Sequence, residues 1–410
     1  MVYTDCLTNL IKLINCPSIT PNDGGSTDVL INILKPIGFS INKQVFQEEK
    51  TVDVTNIYAR FGKKDPHLMF AGHIDVVSPG ILDEWKYPPF SATIEDDRLY
   101  GRGAVDMKGG IACFITAVAR FISRNNDFGS ISMLITGDEE GPAINGTKKM
   151  LLWAKQKQER WNACIVGEPT CSHKLGDTVK IGRRGSLSGD IIIHGKQGHV
   201  AYQHLANNPI NGIIPLLQQL TCVDFDNGNT DFPPTHLEIT TIDVGNSTLN
   251  LIPGQVRISF NIRFNNIWNE KTLKEEVTRR VKKSMQNSNQ NNSLLSHDLH
   301  FKSPISPVFL TENKELSSLL IESITDVTGE IPKLSTSGGT SDARFIKDYC
   351  PVIEFGLIGQ TMHSTNENVS IADLKLLTCI YDNFISKWFA KNGNSQIIPP
   401  SPYIEDKDIS

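Results

Sequence analysis

The strongest constraint on this chain is the repeated placement of one carboxylate or imidazole next to an apolar run. Residues 67–71, 130–135 and 163–166 are apolar runs typical of buried strands, and residues 109–124 have apolar positions at helical spacing. Such strands, alternating with helices, predict an α/β layered domain. The side chains at these junctions, and at one later junction, are His73, Asp106, Glu140, Glu168 and His363.

The pattern changes after about residue 180. Polar and apolar residues alternate, as in half-exposed strands, in segments 186–194, 237–244 and 256–264. Helical patterns occupy segments 209–220 and 272–286. The repeated strand-helix-strand order predicts a smaller α+β domain of four antiparallel strands and two helices. We therefore predict a discontinuous α/β domain, 1–180 with 303–410, and an inserted α+β domain, 181–302.

Composition and charge argue against several classes of protein. The net charge is −5 and no block of Lys or Arg is present, so we expect no nucleic-acid partner. No apolar run reaches the roughly 18 residues of a membrane span, so we expect no membrane partner. The eight cysteines form no CxxC pair, and residues 1–15 lack the pattern of a signal peptide. These features favour a cytoplasmic location.

Each candidate site residue has a simpler interpretation when it is taken alone. His73 can be a satisfied core histidine, and Asp106 can be a turn aspartate among glycines. Glu140 belongs to a triplet of carboxylates that is more often a solvated charge run. A phosphate-binding loop around Asp106 is disfavoured because the pattern GxxxxGK followed by Ser or Thr is absent.

Together, the two imidazoles and three carboxylates suit two zinc ions, with one aspartate bridging and a shared water. Asp75 follows His73 by two residues, so period-two strand geometry places both side chains on one side. A carboxylate in that position can fix the tautomer of a metal-binding histidine. In the triplet 138–140, one glutamate can bind metal while its neighbour transfers protons.

A family resemblance rests on the motifs GHIDVVSPG, YGRGAVDMKGGIA, LITGDEEGPAINGT, VGEPT and EFGLIGQTMHSTNE. Through them the chain resembles the co-catalytic zinc aminoacylase/carboxypeptidase family, from the first helix to about residue 390. The resemblance implies a three-layer α/β catalytic domain with an inserted, ferredoxin-like lid and dimerisation domain. Members that remove a succinyl group from an amino acid's nitrogen are favoured by the stretches GRRGS, GHVAY and STSGGTSDARF.

The resemblance also implies roles for individual residues. The metal ligands would be His73, Asp106, Glu140, Glu168 and His363, with Asp106 bridging. Asp75 would orient His73, and Glu139 would be the general acid and base. His199 would enter the partner subunit's active site and stabilise the oxyanion. Substrate carboxylates and the amine would be held by Arg183, Ser186, Tyr202, Asn250, Arg263, Gly339 and Thr340.

The implied partners are a small-molecule substrate, two Zn²⁺ per subunit, with Co²⁺ possible at one site, and a second copy in a homodimer. One departure from the family is Gln203, where proline is usual, which would loosen the turn after Tyr202. The same chemistry would also serve an acetylornithine deacetylase or a metallo-carboxypeptidase. A catalytically inactive binding protein is a third hypothesis, and the intact Glu139 and five ligands argue against it.

Overall fold

The computed structural model describes residues 5–288, 295–393 and 396–400. These residues form nine α-helices: α1 (Cys6–Ile14), α2 (Ser26–Ile37), α3 (Lys108–Arg124), α4 (Thr147–Gln156), α5 (Ile213–Thr221), α6 (Glu270–Ser288), α7 (Lys314–Thr328), α8 (Ala343–Ile346) and α9 (Ile371–Asn392). Within those described ranges, every helix is too short or too polar to cross a lipid bilayer.

Nineteen strands lie in the same described ranges. The first ten are β1 (Ser40–Phe46), β2 (Val54–Phe61), β3 (His67–His73), β4 (Thr93–Glu95), β5 (Arg98–Tyr100), β6 (Ser130–Thr136), β7 (Ala163–Val166), β8 (Thr178–Lys180), β9 (Gly182–Arg183) and β10 (Gly185–His194). The others are β11 (Gly198–His199), β12 (His236–Asp243), β13 (Leu251–Ile252), β14 (Gln255–Phe264), β15 (Ser296–Phe301), β16 (Phe309–Leu310), β17 (Lys333–Ser335), β18 (Val352–Glu354) and β19 (Asn368–Ser370).

The chain divides into two compact units. Unit 1 comprises Met1–Ile181, Thr311–Ser335 and Ser341–Ser410, and unit 2 comprises Gly182–Leu310 and Thr336–Thr340. The inserted domain predicted at 181–302 is shorter than unit 2. The difference arises because β16 pairs with β9 at the start of unit 2, so the chain leaves this unit only after Leu310.

Unit 1 is built on an eight-stranded sheet with the order β1-β2-β6-β3-β7-β18-β8-β17. Its four central strands, β6, β3, β7 and β18, run parallel to one another. The carboxyl ends of parallel strands meet at the same edge of a sheet, and ligands commonly bind at that edge. The loops that follow these four strands therefore converge.

Helices cover both faces of this sheet, because successive side chains of a strand point to opposite sides. On one face, Phe70 of β3 stacks on Phe114 of α3 with ring centroids 4.2 Å apart. On the other face, Tyr58 of β2 meets Trp153 of α4 edge to face, with centroids 5.8 Å apart. Ile57 and Ala59, the neighbours of Tyr58, belong to the first face. These layers confirm the predicted three-layer α/β fold.

Unit 2 is an antiparallel sheet with the order β12-β14-β10-β15, with helices α5 and α6. Buried side chains of the strands, such as Ile191 and Ile258, share a core with Leu216 of α5 and Val277 of α6. The alternating pattern of β10 and β14 thus places apolar residues under the helices and polar residues on the opposite face. The predicted α+β insertion of four strands and two helices is confirmed.

A buried histidine lies under the second face of the large sheet. The Nε2 atom of His67 is 2.8 Å from the hydroxyl of Ser132, and the side chain is 1% exposed. Burial lowers the pKa of His67 to about 3, and the charge of Arg60 adds to this effect. His67 is therefore neutral in the folded protein at pH values where the unfolded chain binds a proton.

We expect His67 to lower stability in acid. An unfolded imidazole has a pKa of about 6.5. The unfolded state therefore binds one more proton than the native state below that pH, and stability falls as the pH drops from about 6.5 towards about 3. In urea unfolding of chelator-treated protein, His67→Gln should show a shallower pH dependence across this window. Identical slopes for the variant and the wild type would contradict the expectation.

Candidate metal centre

Five side chains predicted as metal ligands lie around the carboxyl ends of the parallel strands. His73 is the last residue of β3, Glu140 follows β6 by four residues, and Glu168 follows β7 by two. Asp106 lies two residues before α3, and His363 lies in the loop between β18 and β19. Strands adjacent in the sheet thus bring together residues that are up to 290 positions apart in the sequence.

The carboxylate of Asp106 lies between the two imidazoles. Its Oδ1 atom is 3.1 Å from Nε2 of His73, and its Oδ2 atom is 3.2 Å from Nε2 of His363. Glu168 completes one group, with Oε1 3.7 Å from His73 Nε2, and Glu140 completes the other, with Oε1 2.9 Å from His363 Nε2. Within each group the donor atoms lie within 4.8 Å of one another. Asp106 belongs to both groups.

Charges in this cluster shift the pKa values of its acids and bases in opposite directions. Burial alone would lower the pKa of His73, but the hydrogen bond to Asp106 and the charge of Glu168 raise it well above its usual range. Hydrogen bonds to Asp106 and Glu140 raise the pKa of His363 to about 10. Burial would raise the pKa of Asp106, but its bonds to His363 and His73 lower it below its usual range. The cluster therefore favours positive charge beside its carboxylates.

Asp75 connects the strand that carries His73 to the loop that carries the two glutamates. Its Oδ1 accepts a hydrogen bond from the main-chain N–H of Glu139 at 3.2 Å, and its Oδ2 accepts one from Glu140 at 3.0 Å. The Nδ1 atom of His73 is 2.9 Å from the main-chain oxygen of Asp75 and 3.7 Å from its carboxylate. The carboxylate thus shapes the neighbouring loop, and the main-chain oxygen contacts the imidazole.

The three carboxylates of the triplet 138–140 differ in their surroundings. Asp138 is 3% exposed, and its carboxylate accepts main-chain hydrogen bonds from Ala143, Ile144 and Asn145. It therefore folds the loop after β6 and is not a member of the cluster. Glu139 is half-buried, and burial, with the charge of Glu168, raises its pKa well above its usual range. The triplet is therefore not a solvated charge run, because one of its side chains is buried and two are half-buried.

The donor set itself tests whether metal ions fit. Imidazole nitrogens and carboxylate oxygens are ligands that Zn²⁺ and other divalent cations accept. Each group supplies one imidazole, one glutamate and a share of Asp106. Together the two groups contain three carboxylates and two imidazoles, so the carboxylates supply more negative charge than the imidazoles can balance. The residues fit two divalent cations.

The predicted substrate-binding residues all lie in unit 2. Ser186 of β10 and Arg263 of β14 are register partners on the polar face of the four-stranded sheet. The Nη1 atom of Arg263 is buried and has no hydrogen-bond partner among the described residues. Arg183 is buried, and its Nη1 donates to the main-chain oxygen of Gly339 at 3.3 Å. Thr340 ends the same short segment.

A second group in unit 2 surrounds His199. The imidazole is exposed, its Nδ1 accepts the N–H of Ala201 at 3.0 Å, and its ring centroid is 5.7 Å from that of Tyr202. Asn250 is exposed, and its main-chain oxygen accepts the N–H of Val200 at 3.0 Å. The turn at Gln203, where proline is usual, is closed by a bond from the N–H of Ala206 to the Gln203 oxygen at 3.2 Å.

Two residues that contact the metal-centre loops were not predicted. Glu367 is 0% exposed and Arg102 is 2% exposed, and the two form an ion pair at 2.9 Å. Both lie inside the motifs that carry the family resemblance, at Gly-Arg-Gly and at Asn-Glu. The sequence carries no signal that Arg102 and Glu367 pair, because the two residues are far apart in the chain and neither lies in a pattern that points to the other.

Comparison with known proteins identifies a matching family. The sequence model described as "Peptidase family M20/M25/M40" matches residues 69–387. This range includes all five members of the cluster, the whole inserted domain predicted at 181–302 and part of each segment of the other predicted domain.

Several solved structures have a similar fold. A tripeptidase from Staphylococcus aureus has a TM-score of 0.75 at 19% identity, covering 94% of this chain and 98% of that chain. An M20 family metallo-carboxypeptidase from Sulfolobus solfataricus has a TM-score of 0.73 at 19% identity, covering 94% and 99%. A dinuclear metal binding peptidase of the M20 family from Bacillus subtilis has a TM-score of 0.66 at 15% identity, covering 93% and 97%. At these identities the likeness shows the fold.

Metal uptake should reveal that Asp106 is shared. We expect the wild-type chain to take up two divalent cations, and Glu168→Ala and Glu140→Ala to retain one tightly bound ion each. Asp106→Ala should retain fewer than either, because it removes a donor from both groups. Equilibrium dialysis against Zn²⁺ with elemental analysis measures this, with Glu159→Gln as the control carboxylate. Two ions bound to Asp106→Ala would contradict the shared position.

Proposed function

The chain belongs to peptidase family M20/M25/M40, and on that premise we propose that it hydrolyses N-succinyl-LL-2,6-diaminopimelate to succinate and LL-2,6-diaminopimelate. Membership makes the chain a hydrolase of this family, and the choice of substrate is the proposal. The main support for metal-dependent hydrolysis is the position of Asp106, whose two carboxylate oxygens face different imidazoles. The reaction would serve the synthesis of lysine and meso-diaminopimelate.

We propose Zn²⁺ as the ion in both groups, with Co²⁺ possible at one. One ion would be held by His73, Asp106 and Glu168, and the other by Asp106, Glu140 and His363. Such ions, when bound, polarise a carbonyl oxygen and lower the pKa of a water molecule to about 7.

Glu139 is the proposed general acid and base. It neighbours Glu140 in the loop after β6, and its main chain is fixed by the hydrogen bond to Asp75. Its side chain is half-buried and is not a member of either donor group, so its oxygens are available to a proton. Glu139 would take a proton from the attacking water and pass it to the leaving amine nitrogen.

The proposed substrate carries several carboxylates, and unit 2 offers cationic groups for them. Arg263 has a buried guanidinium nitrogen without a partner among the described residues, and burial lowers its pKa. A buried, unpaired donor is costly, and a bidentate carboxylate would satisfy it. We propose that Arg263 and Arg183 bind substrate carboxylates, with further contacts from Ser186, Tyr202, Asn250, Gly339 and Thr340.

His199 is proposed to stabilise the oxyanion in the active site of a partner subunit. Because Nδ1 accepts the N–H of Ala201, the proton of the neutral imidazole lies on Nε2. Because this Nε2–H donor is exposed, it can donate a hydrogen bond to the oxyanion of a substrate bound by the partner subunit. This role requires a homodimer, which we propose together with a cytoplasmic location.

A second candidate function is cleavage of a short peptide. It is favoured by the names of the similar structures, which include a tripeptidase, a carboxypeptidase and a dipeptidase, each covering at least 94% of this chain. The catalytic cluster would serve either reaction, since both break an amide bond. The two candidates therefore differ only in the residues that bind the substrate. The same is true of a third candidate, a deacylase for acetylornithine.

A substrate panel tests the proposal. Zinc-loaded enzyme should hydrolyse N-succinyl-LL-2,6-diaminopimelate with a higher kcat/KM than its N-acetyl analogue, N-acetylornithine or di- and tripeptides. Compared with the succinyl group, the acetyl group of this analogue lacks the terminal carboxylate and one methylene. A bond to a charged group contributes roughly 1.5–3 kcal/mol, so the ratio should be about 10- to 100-fold. A preference for peptides or for acetylornithine would contradict the proposed substrate.

The role of Glu139 predicts a separation of metal binding from turnover. Glu139→Gln keeps the size of the side chain but cannot take a proton, so kcat should fall about 100- to 10,000-fold. Bound zinc should stay at the wild-type level, because Glu139 is in neither donor group. Glu140→Ala, one residue along, is the matched control and should lose one of the two zinc ions. Wild-type turnover by Glu139→Gln would remove this residue from the mechanism.

A further inference from the structure

A buried carboxylate joins the two segments that carry Asp106 and His363. The Oε1 atom of Glu367 accepts the main-chain N–H of Val105 at 2.9 Å and of Asp106 at 3.2 Å. Its Oε2 atom accepts the N–H of Gly103 at 3.0 Å and Nη1 of Arg102 at 2.9 Å. Four donors from the segment before α3 thus converge on one side chain that lies four residues after His363.

Arg102 makes the reciprocal connection. Its Nη1 donates to the main-chain oxygen of Ser364 at 3.1 Å, and its Nη2 lies 3.4 Å from the oxygen of His363. The guanidinium also lies over the ring of Trp85, 5.1 Å from its centroid. Each segment therefore contributes one buried charge that bonds to the main chain of the other.

The loop of His363 needs such support. His363 has a φ of 58° and Asn366 has a φ of 61°, in the left-handed region that residues with a side chain rarely adopt. Strained conformations of this kind persist only when surrounding contacts determine them. The side chain of His363 is also 48% exposed, so packing contributes little to its position.

The other donor group is supported differently. His73 is the last residue of β3, in the centre of the sheet, and it is 1% exposed. Glu168 follows the buried strand β7 by two residues. Strand pairing determines the positions of these two side chains, whereas the position of His363 is determined by a loop.

We propose that Glu367 and Arg102 are positioning residues that hold the loop of His363 against the segment that carries Asp106, so that binding of one of the two cations depends on them. The affected cation is the one held by Asp106, Glu140 and His363. This inference rests on the proposed metal-dependent function. Neither residue touches substrate or the reacting atoms, and both act through the main chain of the loops that present the ligands.

The test compares two variants with a matched control. Glu367→Gln places an NH₂ group against N–H donors, and Arg102→Lys keeps the charge but cannot donate to several carbonyl oxygens at once. Asp382→Asn removes a buried carboxylate that pairs with Arg124 elsewhere in unit 1, so it controls for the loss of a buried ion pair. Thermal unfolding of the metal-free proteins measures general stability.

Calorimetric titration of metal-free protein with Zn²⁺ should separate the two binding events. For Glu367→Gln and Arg102→Lys, we expect one event to weaken about 10- to 100-fold, as for other groups that orient ligands. The other event should stay within about threefold of wild type. The absorption spectrum of the fully Co²⁺-loaded variants should change as well. Asp382→Asn should bind both ions as the wild type does.

Three outcomes would overturn the inference. The first is wild-type affinity for both ions in the two variants. The second is an equal loss of Zn²⁺ affinity at both binding events, if Asp382→Asn loses as much affinity when its stability falls by the same amount. The third is a wild-type chain that binds fewer than two ions, which overturns the metal centre too. If two ions bind as expected but no member of the substrate panel is hydrolysed, the proposed substrate fails and the positioning role stands.

Discussion

The site depends on one carboxylate that is shared between two imidazoles. Asp106 faces His73 with one oxygen and His363 with the other, at 3.1 and 3.2 Å. This position requires three separate segments to meet: the end of β3, the turn before α3 and the loop after β18. The parallel order of β6, β3, β7 and β18 makes the meeting possible, because all four strands end at one edge of the sheet. A large apolar core packs α3 and α9 against this sheet.

A second set of carboxylates shapes the loops that present the ligands. Asp75, Asp138 and Glu367 are buried, and each accepts hydrogen bonds from at least two main-chain N–H groups of a loop at the site. Buried carboxylates are stabilised by such donors, since unpaired burial would cost several kcal/mol per ion. The carboxylates around the site thus fall into two sets with different roles. The carboxylates that face the imidazoles can bind cations, and those behind them fix main-chain geometry.

The sequence predicted the elements and the cluster better than the contacts between them. Helix α3 was predicted at 109–124 and spans Lys108–Arg124, because a long apolar periodicity determines a buried helix. The α/β pattern predicts parallel strands, whose carboxyl ends lie at one edge of the sheet, and the five junction residues meet around that edge. The triplet 138–140 also fitted a solvated charge run, but Asp138 is buried and its carboxylate folds the loop after β6. The pairing of Arg102 with Glu367, 265 positions apart, could not be predicted, since side-chain type does not reveal which distant N–H group a carboxylate will accept. The first segment of unit 2 extends to Leu310, beyond the predicted boundary at 302, through the pairing of β9 with β16, and strands of two residues carry no periodicity.

The most direct test of the shared carboxylate is an anomalous diffraction experiment at the zinc edge, on crystals of the wild-type protein grown with Zn²⁺. We expect two anomalous peaks, one beside each oxygen of Asp106. One peak should also lie against His73 and Glu168, and the other against His363 and Glu140. A single peak, or two peaks of which either lies away from Asp106, would contradict this expectation.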